Sequence, residues 1–401
     1  MDPTRPAAFD RSTDPMSTLR MPAEARVDWS DDRKYAGAGL RIRRGTFRDG
    51  AARGVEVIAV DTGVSQHWLL PTRGMSIWRI DVAPLDEAPE QTVSPIGWRS
   101  PVAGPVHPAL VPLIEPSGLG WLSGFDELLV RCGLTSNGPP LFNEAGQLTD
   151  PLHGRIGNTP AQNVHLRIDG DRLIVTAEMV EARLFFGRLR LSTTMSFQSG
   201  SPNVHITDRL INDSSTSATA QMLYHINVGR PILGDGSRLR ATLKEVAPKD
   251  SLSAGEMDQR FDYGPPTSGY RERVYFAEAR SDDDGWADAM VDDPSHRVGL
   301  GVRYQTDTLP KFVVWKNTAD VRDGYVTGME PATNFPNAKP YEAEHGRVLT
   351  LEPEQEVIFW LDLQPLLGSA SVNEFAKRCQ SAASPVVHDR PQPTWSPQAD
   401  A

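Results

Sequence analysis

The stretch Asn163-Val164-His165-Leu166-Arg167-Ile168-Asp169-Gly170-Asp171 decides the fold class. Val164, Leu166 and Ile168 alternate with His165 and Arg167, a period of two that puts the apolar side chains on one side of an extended chain. Asp169-Gly170-Asp171 then has the turn chemistry of a hairpin. Further strands are predicted at residues 173–181, 184–197 and 204–212, with Gly200-Ser201-Pro202-Asn203 breaking the last two apart. Consecutive strands without interleaved helices form a meander, which predicts an all-β fold, a large antiparallel β-sandwich or a barrel, rather than an α/β one. The sequence shows no short-period repeat of the propeller or solenoid kind.

The same short alternating segments, bounded by Gly, Pro, Asn, Asp and Ser, continue on both sides of this region. Helices are expected to be few and short. The clearest is residues 372–379, with Ser371 as its cap and Phe375 and Cys379 four apart on one face. Residues 1–30 are expected to be a loose arm, 31–382 a single β-sandwich domain, and 383–401 a loose Pro-rich tail. Ser281-Asp282-Asp283-Asp284-Gly285 reads as a solvated turn, because it lacks the later bidentate Glu of a calcium loop.

Composition narrows the function. The 401 residues carry a net charge of -11 with a pI near 5.4, which opposes binding to nucleic acid or to an anionic membrane surface. The two cysteines, Cys132 and Cys379, form no spaced framework, as expected of a reducing cytoplasm. No apolar run suits a signal peptide or the roughly 18 to 20 residues of a spanning helix. His67, His107, His153, His165, His205 and His225 never fall in a close ligand pair, so no metal is expected.

Three stretches place a titratable residue beside or just before glycine or proline: Leu152-His153-Gly154-Arg155, Tyr224-His225-Ile226-Asn227, with Gly229 and Pro231 just beyond it, and Gly328-Met329-Glu330-Pro331. Alternation puts Leu223, His225 and Asn227 on one face of a strand and the apolar side chains of Ile226 and Val228, with Tyr224, on the other. His225 and Asn227 therefore point together toward solvent or a polar concavity. His153 precedes a glycine that would let backbone approach a ligand, and Arg155 offers a planar fork of donors. Glu330 is expected at the end of a strand, before Pro331 and the turn Asn334-Phe335-Pro336-Asn337. Each also has an ordinary structural reading: a hydrogen-bonded surface histidine, a polar turn, an exposed carboxylate.

Taken in order, the three stretches resemble the aldose 1-epimerases, the galactose mutarotase-like superfamily. In that family a Leu-His-Gly stretch supplies one histidine, a later strand supplies a second with an asparagine nearby, and a Glu before a Phe/Tyr-Pro turn supplies the base. Residues 188–212 look like the family's central hairpin, so the likeness covers about 152–336. Upstream, Pro71-Thr72-Arg73-Gly74-Met75 and residues 120–134 look like a less characterised branch. The resemblance implies the supersandwich fold, a small-molecule sugar as partner, no cofactor, and a possible homodimer. It implies interconversion of sugar anomers through the open-chain aldehyde, with Glu330 taking the anomeric proton, His225 protonating the ring oxygen and His153 steadying the developing charge. Arg73, Arg155 and Asn227 are candidates to bind sugar hydroxyls or an acidic substituent, and Trp121, Phe125 and Trp315 to stack on a pyranose. Lys316 is a further candidate, but it alternates with Trp315, so at most one of the two faces the pocket.

Two departures from the family pattern stand out. Tyr224-His225 replaces an Asn-His strand entry, and the aspartate that grips sugar hydroxyls has only Asp235 and Asp262 as candidates. Two other readings stay open: a non-catalytic carbohydrate-binding module, and an isomerase or lyase that abstracts a carbon-bound proton from a modified sugar.

Overall fold

A computed structural model describes residues 27–82, 96–102, 104–380 and 383–397. Two largely antiparallel sheets pack face to face. The larger has 13 strands among the described residues. In spatial order it runs Val27–Tyr35, Leu40–Phe47, Glu56–Asp61, Ser65–Leu70, Ser76–Val82 and Leu129–Leu134, then Ala218–Val228. It continues with Val326–Ala332, Lys311–Asn317, Arg273–Ala279, Leu243–Pro248 and Val386–Val387, while Leu349–Leu351 pairs with the start of Ala218–Val228. The smaller, eight-stranded sheet runs Arg238–Ala241, Trp286–Asp292, Val298–Gln305, Glu356–Leu367, Val204–Asn212, Gly187–Gln198, Arg172–Arg183 and Gln162–Asp169. Among the described residues no helix is long and apolar enough to cross a membrane.

Strand alternation builds the core between the sheets. Tyr224, Ile226 and Met329 of the larger sheet meet Leu191, Ile206, Leu210 and Leu361 of the smaller one, all in one buried cluster. The opening stretch forms the edge strand of the smaller sheet and the turn into its neighbour, with Val164, Leu166 and Ile168 packed against that cluster and Gly170 turning at φ 62°. The expected strand at 204–212 matches Val204–Asn212. That at 184–197 begins later, at Gly187, because Leu184, Phe185 and Phe186 form an exposed hairpin tip in which Phe185 adopts φ 72°.

Other expectations are revised. The C-terminal helix spans Ser369–Gln380, and Ser371 does not cap it: its hydroxyl lies in the first turn and donates back to the carbonyls of Leu367 and Gly368. Val372, Phe375 and Cys379 are buried, as the spacing required. The first strand starts at Val27, inside the expected arm; residues 1–26 lie outside the described ones. The tail is docked through 397 rather than loose. Val386–Val387 pairs in parallel with Leu243–Pro248, and Trp395, 9% exposed, packs on Phe335 with ring centroids 5.0 Å apart. Asn337 Nδ2 donates to the Trp395 carbonyl at 2.8 Å. One aromatic anchor and a few hydrogen bonds thus override a proline-rich composition. In the Asp282 turn the carboxylate accepts the Asp284 and Trp286 amides.

Arg131 joins the sheets. It points inward from Leu129–Leu134 and donates to Asp208 on Val204–Asn212 through Nε (2.5 Å) and Nη2 (3.0 Å). It also reaches Thr193 Oγ1 at 2.9 Å and the Met75 carbonyl at 3.0 Å, and the Tyr224 hydroxyl donates to the same Asp208 at 2.7 Å. Neither side chain of the ion pair has exposed surface. Arg131→Met strands a buried carboxylate and is expected to lower stability by about 3–5 kcal/mol in urea titrations, with the double variant Arg131→Met/Asp208→Leu recovering part of that loss.

Candidate active site

The outer face of the larger sheet carries the site. On Ala218–Val228 the side chains of Leu223, His225 and Asn227 face out, as the alternation required. Pairing aligns Ile226 with Met329 and Asn227 with Gly328, so His225 lies opposite Glu330 on Val326–Ala332. Glu330 is therefore inside a strand, not at its end. His225 Nε2 is 3.3 Å from Glu330 Oε1, and the residues are 4% and 2% exposed. Gly328 leaves room for this approach. A Cβ there would lie 2.6 Å from Glu330 Oε1 and 3.1 Å from His225 Cε1.

Aromatic rings close around the pair. The turn Gly120–Gly124 presents Trp121 and leads into Phe125, and Trp315 comes from the neighbouring strand Lys311–Asn317. Ring centroids of Phe125 and Trp315 lie 4.9 and 5.4 Å from that of His225. His153 joins them, 4.7 Å from Trp121 and 5.6 Å from His225. It is placed by two successive left-handed residues, His153 at φ 57° and Gly154 at φ 74°. Gly154 is needed there, since a Cβ would lie 2.1 Å from the Gly133 carbonyl oxygen. His153 Nδ1 is 2.8 Å from the Asn137 carbonyl, which can only accept, so Nδ1 carries the proton and Nε2 is left as an acceptor.

Burial sets the charges. It lowers the His153 pKa to about 4 and holds His225 well below the ordinary histidine value. It pushes Glu330 well above the usual carboxylate range, and the nearby Glu272 charge adds to this while Lys249 opposes it. Although 3.3 Å is ion-pair distance, desolvation favours a neutral imidazole beside a protonated carboxyl, one proton between the two. His225 Nδ1 and Glu330 Oε1 have no hydrogen-bond partner among the described residues.

Several sequence candidates are placed elsewhere. Arg73 is buried, donating to Glu127 Oε1 (2.5 Å), Asn158 Oδ1 (2.8 Å) and the carbonyls of Val106 (2.9 Å) and Gly124 (2.8 Å), so it braces the Trp121 turn instead of meeting a sugar. Arg155 is exposed and opens into a separate cleft beside Glu181 and Lys339. Lys316 points inward, to the Gln259 carbonyl at 2.9 Å and Glu256 at 3.7 Å, leaving Trp315 as the one of the pair on the site's side. Asn227 is on the expected face but buried, its amide donating to the Glu127 carbonyl at 2.9 Å. Asp235 is exposed in a turn, and Asp262 is exposed and pairs with Arg238 at 3.3 Å.

The carboxylate that does border the site is Glu272, which accepts from Trp315 Nε1 at 2.7 Å. Sequence reasoning missed it, since Arg271-Glu272-Arg273 has the composition of a solvated turn. Among the described residues no three His, Cys, Asp or Glu side chains converge as metal ligands.

Residues 52–364 match the family model described as "Domain of unknown function (DUF4432)". No curated protein matches. The chain is 29% identical, over 88% of its own length and 91% of the other's, to a "putative aldose 1-epimerase" from Klebsiella pneumoniae, at a TM-score of 0.82. A galactose mutarotase-like protein from Clostridium acetobutylicum gives a TM-score of 0.56 at 15% identity, covering 81% of this chain and 98% of that one. A protein from Escherichia coli K12, described in the same words as the Klebsiella one, gives 0.51 at 12% identity, covering 78% and 99%. The last two show the fold alone. This chain therefore has the galactose mutarotase-like sandwich fold and belongs to the family of domains of unknown function DUF4432.

Proposed function

We propose that this protein is a carbohydrate-active isomerase that interconverts the anomers of a small sugar, with Glu330 and His225 as its acid–base pair. The observation that carries the reading is their opposition at 3.3 Å on adjacent strands, both buried and each with a polar atom free. Ring opening removes a proton from the anomeric hydroxyl and adds one to the ring oxygen. A pair holding one proton between two sites can do both and end each turnover as it began. In the roles the resemblance implies, the proton passes from Glu330 to His225 as sugar arrives. Glu330 then takes the anomeric proton while His225 supplies the ring oxygen. His153 Nε2, fixed as an acceptor by the Asn137 carbonyl, receives a sugar hydroxyl. Trp121, Phe125 and Trp315 supply the apolar walls for the C–H face of the ring.

Two-dimensional exchange NMR against a panel of aldoses, ketoses and uronic acids tests this. Glu330→Gln and His225→Ala are each expected to slow enzyme-driven anomer exchange by about 10²–10⁴-fold. Binding of no sugar by the native protein, or native-rate exchange in both variants, would overturn the reading.

The pH profile of exchange follows from the shifted groups. The one-proton state is lost on the alkaline side as Glu330 ionises at its raised pKa, and on the acid side only below 6.5, as His225 protonates at its lowered one. The rate is therefore expected to hold as pH falls through the ordinary histidine value of 6.5, and to decline on the alkaline side as pH rises through the raised Glu330 value.

Stability has its own sign. Glu330 is raised in the folded state from 4.5, so its contribution is complete below 4.5 and lost as pH rises toward the folded value. Gln cannot ionise. The Tm advantage of Glu330→Gln over the native chain, read by calorimetry, is therefore expected to grow between acidic and mildly alkaline pH.

A further inference from the structure

A cleft of about 1060 Å³ lies apart from the His225–Glu330 pair, neither of which lines it. It opens between the ends of Arg172–Arg183 and Gly187–Gln198, the Leu148–Asp150 strand and the start of helix Lys339–Glu344. Pockets for single small molecules run to roughly 300–1,000 Å³, so one sugar ring would leave most of it empty. Much of its wall is neutral hydrogen-bonding chemistry: Thr135, Asn143, Gln147, Thr159, Ser217 and Thr219.

Charge and unmet valence add to this. Arg155, Arg183, Arg188 and Lys339 line the cleft against Asp150 and Glu181, an excess of cations on a chain whose net charge is -11. Arg188 has Asp213 at 3.6 Å, and Lys339 spends one donor on the Thr135 carbonyl at 2.7 Å. The Arg155 guanidinium makes no hydrogen bond or salt bridge among the described residues. Glu181 Oε1 accepts the Leu134 amide at 3.0 Å, while Oε2, shut off from bulk solvent, has no partner among the described residues. Burial raises the Glu181 pKa to about 7, which makes a proton available there for donation near neutrality.

The mouth supplies the last component. Phe186 lines the cleft and is 72% exposed, with Arg183 seated 4.1 Å from its ring centroid. An aromatic ring held open beside hydroxyls and amides is a surface for the C–H face of a sugar. We propose that the cleft is a second, non-catalytic site for an acidic oligosaccharide, its carboxylates held by Arg155 and Lys339 and one ring laid on Phe186. The proposal is independent of the chemistry assigned to Glu330 and His225.

Calorimetric titration of the full chain with trigalacturonate, maltotriose and inorganic phosphate tests it. Trigalacturonate is expected to bind at least about tenfold more tightly than maltotriose, and Arg155→Ala to weaken it by about tenfold, the worth of a charge-assisted contact. Phe186→Ala is expected to cost about fivefold, and His225→Ala nothing. Arg155 and Phe186 are both exposed, so an unchanged Tm will confirm that these variants fold. Four results would overturn the proposal: no trigalacturonate binding, equal binding of maltotriose, binding of phosphate as tight as the trisaccharide, or binding that depends on His225 and not on Arg155 and Phe186.

Discussion

Arg131 is a guanidinium with no exposed surface, and taking it out of water costs several kcal/mol unless its donors are met. They are met by Asp208, Thr193 and the Gly74 and Met75 carbonyls, with Tyr224 on the same carboxylate. This arrangement fixes the register of two central strands against the opposite sheet. A slip by one residue would turn Tyr224 outward and leave Asp208 short of a donor. Tyr224 faces in, so His225 must face out. Thr333 fixes the partner strand in turn, exchanging bonds with the Met222 amide at 3.1 Å and its carbonyl at 2.9 Å. The opposition of His225 and Glu330 is thus a consequence of the core.

Arg73 is another buried cation, and it acts on the site at one remove. Its Gly74 neighbour adopts φ 59° and passes close to the His153 loop: a Cβ there would lie 2.3 Å from the Ile156 carbonyl oxygen. Arg73 itself ties Asn158, at the end of that loop, to the Gly124 carbonyl and Glu127, which flank Phe125. The arginine and glycine that look like a ligand-binding pair hold the histidine loop and the aromatic wall together. Glu127 matters here too, since its carbonyl takes the Asn227 amide beneath His225.

What was legible in the sequence was whatever period two encodes. The hairpin after Ile168, the outward face of His225 and the opposite facing of Trp315 and Lys316 all follow from alternation. Direction in loops does not. Arg155 is turned into the second cleft by a loop with positive φ at His153 and Gly154, which no alternation records. Long-range pairing was also hidden, because nothing local in Gly328-Met329-Glu330 names His225 as its partner across the sheet. The family order supplied that link. The docked tail was hidden for a different reason: Trp395 and its hydrogen bonds act from within a segment whose prolines signal disorder. Leu184-Phe185-Phe186 misled in the other sense, an apolar run that continues a strand pattern but forms an exposed turn.

The aromatic wall and the two strands together give His225 and Glu330 a dry environment in which separated charges are costly. The acid–base role proposed for the pair rests on its holding one proton while both groups stay neutral. NMR of 15N-labelled histidine, with the His225 signals assigned by their loss in His225→Ala, measures it directly across a pH titration. The expected result is a neutral imidazole that remains unprotonated well below the ordinary value of 6.5. An imidazolium signature for His225 at neutral pH, abolished by Glu330→Gln, would contradict it.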